Sequence, residues 1–164
     1  METSRGAMAW RPLTPEALAQ AKTMLRSADH GALATLVPED HWPRASRVGI
    51  ACFADGTPMI IASSLASHFR ALTADNRCGL LVGAVGKGDP LAHPRLSLAC
   101  RAMLLAPDSN AANDAKSAYL GRHPKAAIYV DLPDFRFFRL EIVDAEFNAG
   151  FGRAYRLQGA QLLG

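Results

Sequence analysis

In the sequence Ile60-Ile61-Ala62-Ser63-Ser64-Leu65-Ala66-Ser67-His68-Phe69-Arg70-Ala71-Leu72, an apolar strand passes directly into a short helix. The junction carries three serines, a histidine and an arginine, all of which can donate hydrogen bonds. The first N–H groups of a helix lack partners within it and carry a partial positive charge, so the junction is suited to binding an anion. The alternative is that one serine is an ordinary N-cap and the others are merely solvated.

A basic residue on the preceding strand favours the anion site. Arg47 stands in a run where a neutral strand-forming residue is expected. If the strands on either side of the turn at residues 55–56 pair, Arg47 lies level with Ala62 and Ser63, remote from that turn. We therefore expect Arg47 to face the same anion as the junction.

The rest of the chain predicts a mainly β domain with peripheral helices. Strands are expected over residues 32–37, 47–53, 59–62, 78–85, 95–105 and 135–143, and the nearly all-apolar fourth strand should be buried on both faces. Helices are expected over residues 15–28, from the junction through residue 72, and from a cap at residue 108 or 109 to Gly121. This order favours an antiparallel β-barrel over a doubly wound parallel sheet.

Composition restricts the class of protein. The 164 residues predict one domain spanning 1–164, with poorly ordered tails at 1–13 and 156–164 and little regular structure over 148–164. The net charge of +3 is spread along the chain, which gives no support to a nucleic-acid surface. No signal peptide is visible and the longest apolar stretch, 79–86, is too short to cross a membrane, so a cytoplasmic protein is expected.

The remaining candidate residues allow more than one interpretation. Cys52, Cys78 and Cys100 are predicted to be buried apolar residues, with neither metal-ligand nor disulfide spacing. Arg95 begins a strand and is either a surface charge or a ligand-binding residue. His123 follows a helix end, where it suits the helix dipole, and the alternative of a haem ligand stays open. No catalytic side chain is identified, so any chemistry is expected to be a cofactor's.

Several short motifs, in a shared order over residues 14–155, resemble the pyridoxamine 5′-phosphate oxidase-like superfamily of FMN-binding split barrels, and most closely its haem-utilisation branch. The motifs are Gly31-Ala32-Leu33-Ala34-Thr35, Arg47-Val48, Ser63-Ser64-Leu65-Ala66-Ser67-His68, Asp75-Asn76-Arg77, Asp89-Pro90-Leu91, Pro94-Arg95-Leu96-Ser97-Leu98, Tyr119-Leu120-Gly121-Arg122-His123-Pro124, Asp134-Phe135 and Gly150-Phe151-Gly152-Arg153-Ala154.

This resemblance implies a six-stranded antiparallel split β-barrel that forms a homodimer with two cofactor sites at the interface. The FMN phosphate would meet Arg47 on the second strand and Ser67 and His68 at the helix start. The cofactor site implied in this way also includes Val48, Gly49, Ala62, Ser63, Ser64 and Arg95.

The chain departs from relatives that oxidise pyridoxamine phosphate. They carry an Arg-Lys pair where this chain has Ser67-His68, and their C-terminal Trp and Arg pattern is replaced by Gly150-Phe151-Gly152-Arg153-Ala154. Vitamin B6 oxidation is therefore not expected.

Three functional hypotheses follow. The first is an FMN-dependent oxidoreductase or flavin reductase that acts on a small-molecule substrate or electron donor. The second is a haem-binding or haem-degrading protein with His123 or His68 as the axial ligand. The third is a non-catalytic ligand-binding module that keeps the barrel.

Overall fold

The computed structural model describes residues 10–164. Residues 1–9 of the predicted N-terminal tail lie outside the described range. Three α-helices occur in that range: α1 (Pro15–Ser27), α2 (Ser67–Ala74) and α3 (Asn110–Arg122). The strands are β1 (His30–Leu36), β2 (Pro43–Gly49), β3 (Ala51–Cys52), β4 (Pro58–Ser63), β5 (Arg77–Val82), β6 (Arg95–Leu104), β7 (Phe135–Asn148) and β8 (Ala154–Gln158). Short 3₁₀ helices span Pro90–Ala92, Pro124–Ile128 and Gly159–Leu162. No helix within residues 10–164 is long and apolar enough to span a membrane.

All the strands belong to one antiparallel sheet with the order β2-β1-β5-β6-β7-β4-β3. The long strand β7 pairs with β6 along one edge, and its other edge pairs first with β4 and then with β8. Strands β2 and β3 lie at opposite ends of this order, yet only Ile50 separates them in the chain. The sheet must therefore curl back on itself, which confirms the predicted mainly β antiparallel barrel.

Apolar side chains pack on both sides of β4. Ile60 and Ala62 belong to the core inside the curled sheet, which α1 covers with Ala17, Ala21 and Leu25. The alternate residues Met59 and Ile61 belong to a second cluster, under α3. Because β4 is buried on both faces, its end is held rigidly where the chain turns into α2.

The predicted count of six strands is two too low, because β8 was not expected and the expected strand 47–53 breaks at Ile50. The Ile50 N–H donates to the Asp29 carbonyl at 2.9 Å, and the Ile50 carbonyl faces His123 Nε2 at 2.8 Å. Both backbone groups of Ile50 are thus satisfied outside the sheet. These partners are remote in sequence, so the local pattern around residue 50 gives no sign of the break.

The expectation of little regular structure over residues 148–164 is wrong. After β7 a tight turn leads into β8, and a 3₁₀ helix follows at Gly159–Leu162. The turn contains Gly150 and Gly152, whose φ angles of 90° and 71° favour glycine. The end of the chain is anchored by Leu157 and Leu162, which are 1% and 0% exposed.

Two smaller expectations also differ from the structure. Strand β5 is not buried on both faces, since Leu81 is 46% exposed. Gly121 does not end α3, which continues to Arg122 and stops before Pro124.

The three cysteines are free thiols without a disulfide. Cys100 is buried, whereas Cys52 and Cys78 are half-buried. Burial raises the pKa of both Cys52 and Cys78 to about 11, so these thiols stay protonated at neutral pH.

Candidate functional site

The turn between β4 and α2 is fixed to the loop before β7. Ser63 Oγ donates to Asp134 Oδ2 at 2.6 Å and accepts a hydrogen bond from the Leu65 N–H at 3.2 Å. The Ser64 N–H donates to the Asp134 carbonyl at 2.7 Å. The Ser63 hydroxyl is therefore engaged within the turn. It supports the shape of the predicted site and is not free to bind a ligand.

No serine caps helix α2. Its N-cap is Ala66, which makes no side-chain hydrogen bond, and Ser67 and His68 occupy the first two helical positions. The Ala66 carbonyl accepts from the Phe69 N–H at 3.1 Å, but no side chain accepts from the amides of Ser67 and His68, which depend on water or a ligand for a partner. Ser64 and Ser67 are exposed beside them.

His68 is half-buried, in contrast to the exposed serines. Desolvation lowers its pKa below the ordinary value of 6.5, so the neutral imidazole is favoured at neutral pH. In that form one ring nitrogen donates and the other accepts a hydrogen bond or binds a metal.

The junction arginine does not join this group of donors. Arg70 Nη1 lies 2.9 Å from Glu39 Oε1, in the loop between β1 and β2. The ion pair links α2 to that loop and removes Arg70 from the set of free cations. An exposed pair of this kind contributes only about 0–1 kcal/mol, so its effect is positional.

Arg47 lies on β2 opposite Ala32 of β1. The expected pairing across the turn at 55–56 is limited to β3, where Ala51 faces Met59, so the prediction that Arg47 pairs with the end of β4 is wrong. Strand β2 nevertheless lies against β4 without forming a ladder with it. The Arg47 side chain is exposed and has no ion pair among residues 10–164.

Two predicted site residues have their side chains in the core. Val48 is 4% exposed and Ala62 is 3% exposed, so only their backbone can reach a ligand. Gly49 is restricted for a different reason, because a Cβ there would lie 2.3 Å from Tyr119 Oη. This glycine is thus required by the packing of α3 against the end of β2.

Arg95 lies apart from Arg47 in one chain. It begins β6, which is three strands from β2 in the sheet, or about 14 Å at the usual strand spacing. Its Nη1 donates to the carbonyls of Leu91 at 3.1 Å and His93 at 3.5 Å. A cavity of about 230 Å³ adjoins it, lined also by Trp10 and Glu146.

His123 performs a structural task at the strand break. Its Nε2 lies 2.8 Å from the Ile50 carbonyl, and its ring packs on Tyr119 with centroids 4.5 Å apart. It also forms the C-cap of α3, as its position after the helix predicts. Nε2 is therefore engaged, and only Nδ1 is left for another partner.

Sequence reasoning missed two residues that shape the junction, Asp134 and Glu39. Asp134 holds Ser63 from 71 positions away, and Glu39 holds Arg70 from 31 positions away. Neither contact has a local signature. The junction offers uncapped amides and free hydroxyls, and Arg47 offers an exposed guanidinium on β2, the strand that lies against β4; donors of these kinds bind anions.

Comparison with known proteins identifies the family. The model of the pyridoxamine 5′-phosphate oxidase family matches residues 17–149. The chain belongs to this family. Its resemblance to the split barrels, inferred above from short motifs, is thereby confirmed, together with the fold class.

Relatives more than 30% identical include proteins named for haem. The chain is 36% identical over 137 residues to the non-canonical heme oxygenase HOZ, chloroplastic, of Arabidopsis thaliana, covering 82% of this chain and 40% of that protein. It is 31% identical to a heme binding protein from Mycobacterium smegmatis, with a TM-score of 0.82 over 92% of this chain and 61% of the other. The chain thus spans less than two thirds of both relatives. Campylobacter jejuni ChuZ, 18% identical with a TM-score of 0.79 over 90% of this chain and 61% of that one, shows the shared fold alone.

Proposed function

We propose that this protein binds FMN and acts as a flavin-dependent oxidoreductase or flavin reductase in a cleft between two copies of the chain. The supporting observation is the β4–α2 junction, where the first amides of α2 have no side-chain cap. Arg47 lies on β2, the strand that packs against β4, and has no ion pair among residues 10–164. Helix-start amides and a guanidinium are both groups that bind phosphate.

The residues present fit a phosphate monoester. Arg47 supplies the charge, the amides of Ser67 and His68 supply directed N–H groups, and the hydroxyls of Ser64 and Ser67 are free to donate. When bound, FMN carries the electrons, and the chain needs only to hold and orient it. Arg95 begins a strand three positions from that of Arg47 in the sheet, and we assign it to the cleft from the second copy.

The homodimer is supported by an uncovered face of the sheet. Ala34 on β1 lies opposite both Ala45 on β2 and Gly79 on β5, and Gly79 in turn lies opposite Ala99 on β6. Ala34, Ala45 and Ala99 are exposed and form a patch of small side chains, which the exposed Leu81 and Arg47, both opposite Ala32, border on the same face of the sheet. Such a surface allows two sheets to approach closely, and exposed apolar patches of this kind mark interfaces.

Haem binding is the second candidate, favoured by the names of two relatives that are more than 30% identical. Within this chain His68 fits an axial ligand better than His123, because the Nε2 of His123 already faces the Ile50 carbonyl. The half-buried, neutral imidazole of His68 is free to bind iron.

Visible absorption spectroscopy separates the two candidates. We expect the purified protein to retain FMN, or to bind added FMN at micromolar concentration, and its visible spectrum to show the absorption bands of bound flavin. A protein that does not bind FMN but gives a Soret shift with haemin, lost in His68→Ala and kept in His123→Ala, would replace the first proposal with the second. If neither ligand binds, the chain is a binding module for another molecule.

A further inference from the structure

A second cavity lies on the α3 side of the sheet, outside the barrel. Its volume is about 260 Å³, and it is enclosed by α3, the end of β6, the start of β7 and residues 130–133. None of the residues assigned above to the cofactor site lines it. It shares no lining residue with that site, although its Phe135 and Arg136 are the strand partners of Ser63 and Ala62.

One wall of this cavity is apolar and firmly held. Leu105, Val130 and Phe137 are 6%, 7% and 7% exposed, and all three belong to the cluster beneath α3. The half-buried Phe135 completes the wall, with its ring 5.0 Å from that of Tyr129. This wall suits an aliphatic or aromatic group of modest size.

The opposite side carries four charged side chains, of which two neutralise each other and two, Arg136 and Asp108, have no ion pair among residues 10–164. Lys116 and Asp131 form an ion pair with each other. Arg136 is half-buried and commits one N–H, on Nη2, to the Leu105 carbonyl at 2.8 Å. Asp108 lines the same cavity, and no ion pair joins it to Arg136 or to any other residue from 10 to 164.

The backbone at Asp108 adds to this picture. Its φ of 61° lies in the left-handed region, which few residues other than glycine adopt. The next residue, Ser109, caps α3 by accepting a hydrogen bond from the Ala112 N–H at 3.1 Å. The backbone of Asp108 is thus fixed between Pro107 and the cap of α3, and its exposed side chain lines the cavity without an ion pair among residues 10–164.

We propose that this cavity binds a free α-amino acid with an apolar side chain. The ligand carboxylate would be held by the remaining N–H groups of Arg136, which form a planar fork that matches a carboxylate. Its ammonium group would face Asp108, and its side chain would lie against Leu105, Val130 and the two phenylalanines. A zwitterion satisfies both uncompensated charges at once, whereas an anion or a cation satisfies only one.

Isothermal titration calorimetry with three matched probes tests this assignment. L-phenylalanine carries both charges, 3-phenylpropionate lacks the ammonium group and 2-phenylethylamine lacks the carboxylate. We expect saturable binding of L-phenylalanine and at least about tenfold weaker binding of each of the other two, because each charge-assisted bond contributes about 1.5–3 kcal/mol. Equal affinity for all three, or no saturable binding of L-phenylalanine, L-leucine or L-methionine up to about 10 mM, overturns the proposal.

Two variants test the placement without disturbing the Arg136–Leu105 hydrogen bond. Asp108→Asn should lower the affinity for L-phenylalanine to that for 3-phenylpropionate. Ala112→Phe should abolish binding by filling the cavity while every charge remains. Asp114 is an exposed residue on α3 that does not line this cavity, so Asp114→Asn is the control and should bind L-phenylalanine like the wild type. Unchanged affinity in both Asp108→Asn and Ala112→Phe, with normal unfolding curves, would contradict the site.

Discussion

Single residues in this chain are often fixed by a partner that is remote in sequence. Gly49 was expected to belong to the cofactor site, yet the contact that most restricts it is with Tyr119 of α3. A side chain at position 49 would compress against the Tyr119 hydroxyl, and the backbone there does not need a positive φ. The packing of α3 alone is therefore sufficient to demand glycine, whatever a ligand also requires.

Gly49→Ala should lower the free energy of unfolding by about 1–3 kcal/mol, the usual cost of overpacking. Chemical denaturation followed by circular dichroism measures this. In the double variant with Tyr119→Phe, which removes the oxygen at 2.3 Å and leaves Tyr119 Cζ at 3.4 Å, part of the loss should be recovered.

The matched control is Gly121→Ala on α3, where a Cβ meets nothing within 4 Å. Alanine there should raise stability by about 0.5–1 kcal/mol. If Gly49→Ala unfolds at the same denaturant concentration as the wild type, the contact with Tyr119 does not restrict this position.

Whole elements could be predicted where their signals are local. The Thr14 cap and Pro15 gave the start of α1, and Ser109 was one of the two caps expected for α3. The break at Ile50 could not be predicted, since it depends on Asp29 and His123. Strand β8 was missed because its glycine-rich turn resembles loop sequence, although Tyr155 and Leu157 alternate as a strand requires.

The same limit applies to the candidate site. The strand-to-helix junction with its serines, and the basic residue Arg47, could be recognised because residue type and order indicate them, whereas the absence of a serine cap on α2 became visible only in the structure. The commitments of Ser63 to Asp134 and of Arg70 to Glu39 depend on tertiary contacts and could not be seen in the sequence.

The last element, Gly159–Leu162, should be essential for stability. Leu162 is 0% exposed and belongs to the core with α1, so Leu162→Ala should cost about 2–5 kcal/mol in thermal or chemical unfolding. Leu163→Ala, at a half-buried neighbour, should cost about 1 kcal/mol or less. Equal effects of the two substitutions would show that the end of the chain does not close the core.

At the scale of the whole molecule, the curled sheet leaves one face without cover. Its small side chains suit contact with a second copy, and that contact would bring Arg95 of one chain towards the Arg47 region of the other. The proposed dimer would therefore account for two features of the single chain. These are the exposed face of small side chains and the separation of Arg47 from Arg95.

Ala34→Arg should convert a dimer of two 17.6 kDa chains into a monomer, because it places a charged side chain at the centre of the small-residue face. Analytical ultracentrifugation measures the change, and circular dichroism should show an intact fold. Ala111→Arg, on the exposed surface of α3, is the control and should remain dimeric. A dimer that persists in Ala34→Arg would place the interface elsewhere.

The central claim is that a phosphate binds where β4 passes into α2, close to Arg47. The most direct measurement compares the affinities for FMN and riboflavin in the wild type, Arg47→Ala and Arg44→Ala. Arg44 lies on the same strand but is paired with Asp40, which makes it a matched control. FMN should bind the wild type and Arg44→Ala at least about tenfold more tightly than riboflavin does, and this preference should largely disappear in Arg47→Ala. Equal affinities for FMN and riboflavin in the wild type, or an unchanged preference in Arg47→Ala, would contradict the phosphate site.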